Sequence, residues 1–115
     1  MAENKLADMS TEFAVKILNL TDGIKGHYSL SNQLERSGTS IGANINEANY
    51  GQSKADFISK LHIALKEAAE TEYWLRLLLA SEYLSSEMGR SLLTDCQEIK
   101  RLLIASLNTA KKHTS

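Results

Sequence analysis

The sequence has no proline, a single cysteine and no long apolar run. Because proline is the residue that most often breaks a helix, its absence permits long helices throughout the chain. Cys96 has no partner for an internal disulfide, and its place on an apolar stripe predicts a small buried side chain. No apolar stretch approaches the roughly 18 residues of a membrane span, and the polar stretch 1–9 has no signal-peptide core. These absences predict a cytoplasmic protein without a membrane partner.

An excess of charge of either sign is missing as well. The 13 lysines and arginines are balanced by 14 aspartates and glutamates, which gives a net charge of −1. Dedicated nucleic-acid binders are usually basic, so this balance argues against strong nonspecific binding, although it leaves room for a local basic patch. The 115 residues, 43% of them hydrophobic, suit one packed domain spanning 1–115.

What the chain does have is helical periodicity, in four segments. They lie at about 11–24, 30–49, 54–80 and 86–111. The third segment has the longest apolar stripe, with the alternating spacing of four and three that is typical of a helix in a bundle. Its members are Phe57, Leu61, Ala64, Ala68, Thr71, Leu75 and Leu78. Short connections make successive helices antiparallel neighbours, so the predicted fold is all-α, an antiparallel up-down-up-down four-helix bundle.

Capping residues suggest where two of these helices begin. Ser53 followed by Asp56 resembles a capping box and predicts the start of the third helix. Residues 1–8 are predicted to be a lead-in, because Ser10 or Thr11 is suited to cap the first helix.

The second segment combines an apolar stripe with a stripe of small polar residues. The polar stripe consists of Gln33, Ser37, Ser40, Asn44 and Glu47. It is either the solvated face of the helix or a face packed against another helix, and the nearby Gly38, Gly42 and Ala43 favour close approach. The carboxylates leave the same two alternatives: they are surface charges, or they belong to an interhelical polar network that fixes the register of the helices. That network would comprise Ser37, Asn44, Glu47, Glu67 and Glu70.

The sequence signatures of catalysis and metal binding are missing. A di-iron bundle needs Glu-x-x-His on two helices, and no histidine here follows a glutamate at that offset. His27, His62 and His113 have no metal-ligand spacing among them. There is also no phosphate-binding glycine loop and no nucleophile elbow. We therefore predict a protein that is not an enzyme and has no catalytic residues, no metal and no cofactor.

Two sets of residues remain as candidates for binding. Apolar side chains off the main stripe of the third segment would leave a patch exposed on a monomer, which predicts a homo-oligomer. The predicted interface residues are Ile63, Trp74 and Leu77. If the protein instead binds RNA or DNA, basic residues would contact the phosphates. The candidates for this role are Arg36, Lys54, Lys60, Lys100, Arg101, Lys111 and Lys112.

A set of short motifs between residues 36 and 78 resembles a known family. The motifs include Arg36-Ser37, Asn44-Ile45-Asn46-Glu47-Ala48, Ser53-Lys54-Ala55-Asp56-Phe57, Ile63-Ala64-Leu65-Lys66-Glu67 and Glu70-Thr71-Glu72-Tyr73-Trp74-Leu75. Together they are similar to the bacterial four-helix-bundle family, also called 23S rRNA intervening-sequence proteins, and the resemblance covers about residues 10–110. Some members of that family are encoded inside insertions in 23S rRNA genes. Many members have a basic residue where this chain has Gln52.

That family in turn resembles the accessory protein of diversity-generating retroelements, a basic, pentameric, nucleic-acid-binding bundle. This looser resemblance implies that the homo-oligomer is a pentamer. We interpret the sequence as a non-enzymatic, self-associating helical-bundle protein that serves as an interaction or accessory factor. The alternative is an RNA- or DNA-binding accessory factor linked to rRNA intervening sequences or to a retroelement.

Overall fold

The structure, a computed structural model, describes residues 2–112, with side chains from Lys5 onward. It consists of four helices, α1 (Ala2–Gly23), α2 (Tyr28–Asn49), α3 (Lys54–Ala80) and α4 (Ser86–Lys112). The predicted all-α four-helix fold is confirmed, and the bounds of α2, α3 and α4 agree with the prediction to within two residues. The bundle measures 49 × 20 × 19 Å, as expected for helices of this length packed side by side. Within the described range, no helix is long and apolar enough to cross a membrane.

The first helix begins well before the predicted cap, at Ala2. Leu6 is 1% exposed and Ser10 is fully buried, so Leu6, which lies in the segment predicted to be a lead-in, belongs to the core. Met1 lies outside the described residues. The hydroxyl of Ser10 donates to the carbonyl of Ala7 at 3.0 Å, inside the helix, and is not an N-cap. The prediction was wrong because polar neighbours obscure the stripe. Leu6 lies seven residues before Phe13, which is the bundle spacing.

Contacts across the seams show that neighbouring helices are antiparallel. Arg36 of α2 contacts Glu67 of α3, whereas Glu47, later in α2, contacts Lys60, earlier in α3. Each helix packs against its two neighbours around the bundle. The diagonal pairs, α1 with α3 and α2 with α4, do not come into backbone contact in the described part of the chain. The same reversal of direction appears in the pairs Ile17 with Gly38, Ser10 with Gly42, Leu79 with Gly89, and Ala68 with Cys96.

Gly38 and Gly42 lie on the side of α2 that faces α1. A Cβ atom at Gly38 would lie 3.0 Å from Cγ2 of Ile17, and one at Gly42 would lie 3.2 Å from the hydroxyl of Ser10. Glycine therefore accounts for the close approach of these two helices, at a cost in helix propensity of about 1 kcal/mol each. The small residues do admit a neighbouring helix, but for the two glycines this helix is α1 of the same chain. Ala43 is exposed.

The core is mainly apolar along the whole bundle, and the buried polar side chains within it are Ser10, Ser31, Ser37 and Thr71. Its largest fully buried apolar side chains are Phe13, Leu6, Ile17, Leu34, Ile41, Ile45, Leu61, Leu75, Leu78, Ile99 and Leu103. In the seam between α2 and α3, the buried hydroxyl of Thr71 lies 2.9 Å from the hydroxyl oxygen of Ser37 and 2.8 Å from the carbonyl oxygen of Glu67. Among the described residues, no buried side-chain nitrogen or oxygen lacks a hydrogen-bond partner.

The start of α3 is fixed by the predicted capping residues. The hydroxyl of Ser53 accepts a hydrogen bond from the backbone N–H of Asp56 at 3.0 Å. The carboxylate of Asp56 in turn accepts from the backbone N–H of Gln52 at 3.4 Å, one residue before the position used in the usual capping box. These bonds satisfy two backbone N–H groups at the start of α3.

Candidate functional site

The described residues offer no clear place for nucleophilic or metal chemistry. No three histidine, cysteine or acidic side chains between residues 5 and 112 converge as metal ligands would. His62 is exposed, and His113 lies outside the described residues. Cys96 is fully buried and its thiol donates to the carbonyl of Ala68 at 3.3 Å. Burial raises the pKa of the Cys96 thiol to about 12, which disfavours the reactive thiolate. The candidate sites described next are surface clusters and apolar patches.

One such surface contains a cluster between α2 and α3, which we call the Arg36 cluster: Arg36, Glu67, Glu70 and Trp74. The guanidinium of Arg36 donates to the carboxylate of Glu67 at 3.1 Å and also forms an ion pair with Glu70. The indole N–H of Trp74 donates to the same Glu70 carboxylate at 3.2 Å. Desolvation opposes the charge of Arg36, but attraction to Glu67 and bonds to both carboxylates raise its pKa above the ordinary value. One arginine is thus shared by two acids at the edge of the seam.

The other members of the predicted polar network divide between the interior and the surface. Ser37 is buried directly behind the Arg36 cluster, against Thr71. Asn44 donates to the carbonyl of Ser40 in its own helix, at 2.9 Å, and so does not bridge two helices. Glu47 is 57% exposed and pairs with Lys60 at 3.5 Å, away from Arg36.

A second cluster, between α3 and α4, was not anticipated from the sequence. This Glu72 cluster comprises Glu72, Arg76, Gln97 and Lys100. The side chain of Glu72 is 13% exposed and accepts from Lys100 at 2.7 Å, from Arg76 at 3.0 Å and from Gln97 at 3.1 Å. The bond from Lys100, with help from the other two donors, lowers the pKa of Glu72 from 4.5 to about 2. The i, i+4 spacing of Glu72 and Arg76 could have predicted their ion pair from the sequence. Nothing in the sequence indicates that Gln97 and Lys100 of α4 also donate to Glu72.

At least four of the seven candidate phosphate-binding residues are engaged by carboxylates of the same chain. Besides Arg36, Lys60 and Lys100, Arg101 pairs with Glu98 within α4. Lys54 lies at the start of α3, and Lys111 and Lys112 lie at the end of α4. Because α3 and α4 are antiparallel, these three lysines are at the same end of the bundle.

The three predicted interface residues share one side of α3, away from its main apolar stripe, although Trp74 also packs against the core. With Tyr73 they form what we call the outer face of α3: Ile63, Tyr73, Trp74 and Leu77. Ile63 and Leu77 are each 39% exposed and Tyr73 is 59% exposed, whereas Trp74 is half-buried. The rings of Tyr73 and Trp74 pack edge to face, with centroids 5.2 Å apart. Glu70 lies between Ile63 and Trp74 on the same stripe, so the Arg36 cluster borders this apolar face.

Two depressions lie near the end of the bundle where α1 meets α2 and α3 meets α4. The larger, about 800 Å³, lies between α1 and α4 and is lined by apolar side chains that include Leu20, Ile24, Leu84 and Met88. The smaller, about 560 Å³, is bounded on one side by Trp74 and Leu77 of α3 and on the other by the α1–α2 connector. We refer to the smaller as the Trp74 depression.

Comparisons with known proteins place this architecture in one family. Residues 2–105 match the model of the 23S rRNA-intervening sequence protein family. The fold is similar to the crystal structure of a protein of unknown function from the S23 ribosomal protein family of Bacteroides thetaiotaomicron. The two chains are 51% identical, the alignment covers 94% of this chain and 99% of the other, and the TM-score is 0.89. No curated protein matches the sequence.

The family match spans all four helices, and the likeness to the Bacteroides protein extends along almost the whole chain. The resemblance seen in the motifs of α2 and α3 is thereby confirmed. This chain belongs to the 23S rRNA-intervening sequence protein family.

Proposed function

We propose that this protein is a non-enzymatic interaction factor that self-associates through the outer face of α3. The observation that carries the proposal is the exposure of Ile63, Tyr73 and Leu77 on one side of α3. Exposed apolar side chains grouped on one side of a helix favour a surface that another molecule covers. Aromatic residues are also enriched at the centres of such interfaces.

The charges beside this face support the same role. Protein interfaces commonly combine an apolar centre with a polar rim. Here Glu70 bonds to both Arg36 and Trp74, so the rim is tied directly to an aromatic residue of the apolar face. The cluster holds the Trp74 ring in a defined position, which lowers the entropy lost when a second copy binds.

The oligomer we propose is a closed ring. A ring of more than two copies needs a head-to-tail contact, in which the outer face of α3 meets a different surface of the next copy. The expected number of copies is five, by analogy with the retroelement accessory protein that the family resembles. The proposed role is that of an assembly which presents a repeated surface to a macromolecular partner.

Light scattering of the full chain at micromolar concentration tests self-association. A monomer has a mass of 12.7 kDa, and five copies would have a mass of about 64 kDa. We expect a mass of several copies that decreases on dilution. A mass of 12.7 kDa at every concentration would refute the proposal.

A matched pair of variants tests which face is used. Ile63→Asp puts a charge on the outer face of α3, and we expect it to shift the protein to the monomer while helicity by circular dichroism stays unchanged. Ile104→Asp makes the same change on α4, at a side chain of similar exposure, 45% against 39%. The control should keep its mass, which would show that Ile104 is outside both surfaces of the head-to-tail contact. If Ile63→Asp remains associated, the outer face of α3 is not the interface. If both variants dissociate with helicity unchanged, α4 supplies the second surface of the contact.

A second candidate function is an RNA- or DNA-binding accessory factor. The family's name refers to 23S rRNA intervening sequences, and Lys54, Lys111 and Lys112 lie at one end of the bundle. The balanced net charge and the carboxylates that already bind Arg36, Lys60, Lys100 and Arg101 make this the weaker interpretation. It predicts that a labelled RNA hairpin binds in 50 mM salt and that binding weakens steeply by 200 mM. It further predicts that Lys111→Glu with Lys112→Glu abolishes binding. A signal that is the same for wild type and this variant would rule out that end of the bundle as the site.

A further inference from the structure

The two connectors at one end of the bundle are joined to each other by side chains. A hydrogen bond of 2.6 Å links Nε2 of His27, in the α1–α2 connector, to the hydroxyl of Tyr83, in the α3–α4 connector. The two rings also pack edge to face, with centroids 4.4 Å apart. Tyr83 is 50% exposed, so the contact adds little to the apolar core and instead ties one connector to the other.

The backbone before α2 forms a tight turn centred on His27. Gly26 has a φ of +103°, which other residues rarely adopt, and His27 has φ −71° and ψ 65°. These values, with the 2.6 Å bond from the N–H of Tyr28 to the carbonyl of Gly26, define an inverse γ-turn centred on His27. His27 is also the N-cap residue of α2, a position that favours serine, threonine, aspartate or asparagine, yet its side chain makes no capping bond. The ring is directed to Tyr83 instead.

The end of α3 departs from its local preference in the same way. The N–H of Tyr83 donates to the carbonyl of Leu78, and the N–H of Glu82 to the carbonyl of Leu79, which is a Schellman motif. Glu82 occupies the left-handed position of that motif, with φ 65°, where glycine is usual. Two helix ends thus depart from their local preferences, and both departures bring His27 and Tyr83 together. Such departures commonly mark positions that serve a purpose beyond local stability.

The bridge stands between the two depressions at this end of the bundle. His27 lines the Trp74 depression, together with Tyr28 and Leu30 from the first turn of α2. Tyr83 lines the larger depression between α1 and α4. The position of the α1–α2 connector therefore sets one wall of the Trp74 depression, whose other wall is part of the outer face of α3.

We propose that the bridge between His27 and Tyr83 is a strap that holds the α1–α2 connector against the outer face of α3 and so preorganises that face for self-association. The link to self-association rests on the function proposed above. The strap joins the α1–α2 connector, which lines the same depression as Trp74, to the α3–α4 connector. Releasing it frees residues 24–29 to move and leaves the Trp74 depression without a fixed wall, so that binding must then order the connector again.

Hydrogen exchange followed by mass spectrometry, together with light scattering, tests the strap on the full chain. Tyr83→Phe removes the hydroxyl but keeps the ring. We expect amides in 24–29 to exchange about fivefold faster, the factor that the loss of one ordinary hydrogen bond gives. We expect the dissociation constant of the oligomer to rise by a similar factor. Tyr50→Phe is the matched control, because Tyr50 is 81% exposed and lies at the opposite end of α2. It should change neither quantity.

The exchange rate of the amides in 24–29 and the dissociation constant of the oligomer together distinguish failure of the strap from failure of self-association. Unchanged exchange of 24–29 in Tyr83→Phe overturns the strap, whatever the oligomer does. Faster exchange with an unchanged dissociation constant overturns the coupling to the outer face of α3. If wild type is monomeric at all concentrations, the proposed function fails, and the exchange of 24–29 still decides whether the connectors are tied together.

Discussion

The two long sides of α3 carry polar clusters with opposite ratios of acidic to basic groups. Toward α4, one carboxylate, Glu72, receives three donors and is 13% exposed. Toward α2, one arginine, Arg36, is shared by two carboxylates, and its side chain is 49% exposed. In the first cluster the acid is fully satisfied within the chain. In the second, two acids share one cation at the surface, beside an apolar face that the chain itself does not cover.

The difference indicates a division of roles along one helix. A mostly buried carboxylate whose donors lie on two helices acts as a tie between them, since its loss leaves charged donors without a partner. An exposed ion pair contributes little to stability, typically 0–1 kcal/mol, but remains available to a second molecule. We therefore propose that Glu72 holds the bundle together and that the Arg36 cluster forms the rim of the proposed self-association face.

Replacement of Glu72 should have the largest effect. Glu72→Gln removes the charge that Lys100 and Arg76 share, and we expect the free energy of unfolding at neutral pH to fall by about 2 kcal/mol. Urea denaturation followed by circular dichroism measures this. The control is Glu98→Gln, because Glu98 is an exposed acid paired with Arg101 on α4 alone. Equal stability of the two variants would show that the α3–α4 cluster is no stronger than a surface pair.

The dependence of the unfolding free energy on pH in the acid range should also reveal the contribution of Glu72. The pKa of Glu72 is lower in the folded chain, about 2, than its ordinary value of 4.5. Ionised Glu72 therefore stabilises the fold above about pH 4.5, and this contribution is lost as the pH falls towards 2. We expect wild type to lose stability relative to Glu72→Gln across that window. Parallel slopes of stability against pH for the two proteins would contradict the assignment.

Replacement of Arg36 should affect assembly more than stability. Arg36→Met leaves Glu67 and Glu70 close together without a cation, yet both side chains retain access to water. We expect the unfolding free energy to change by less than about 1 kcal/mol and the oligomer to weaken several-fold. Lys16→Met is the control, because it removes an exposed pair with Asp95 on the other side of the bundle. The comparison fails if the two variants weaken assembly equally.

The smallest effect should come from Glu47. Glu47 is 57% exposed, its ion pair with Lys60 is 3.5 Å long, and Lys60 lies away from the Arg36 cluster. Thermal melts of Glu47→Ala should therefore overlay those of wild type, whereas melts of Glu67→Ala should not, because Glu67 is 19% exposed and bonded to Arg36. A clear loss of stability in Glu47→Ala would mean that the polar network extends further along α2 than the contacts indicate.

The acids of α3 also show how far prediction from the sequence reaches. Glu67 and Glu70 were assigned from the sequence either to surface charge or to an interhelical polar network, and in the structure both contact Arg36 of α2. Glu72 was overlooked, since its donors Gln97 and Lys100 lie more than 20 residues away on another helix. Ile63 and Leu77 were predicted to be exposed from their position off the apolar stripe, which requires no knowledge of the neighbouring helices, and each is 39% exposed. Their place in an interface stays a prediction.

The sequence by itself determined the number of helices, the core stripe of α3 and the start of α3 at Ser53, because these depend on periodicity and on bonds between near neighbours. It also contained the start of α1, in the seven-residue step from Leu6 to Phe13, although polar neighbours obscured it. Only the tertiary structure decided which helix Gly38 and Gly42 face, which acid is buried, and that His27 meets Tyr83. These depend on the rotation of each helix about its axis, which is set by packing all four helices together and not by any one segment.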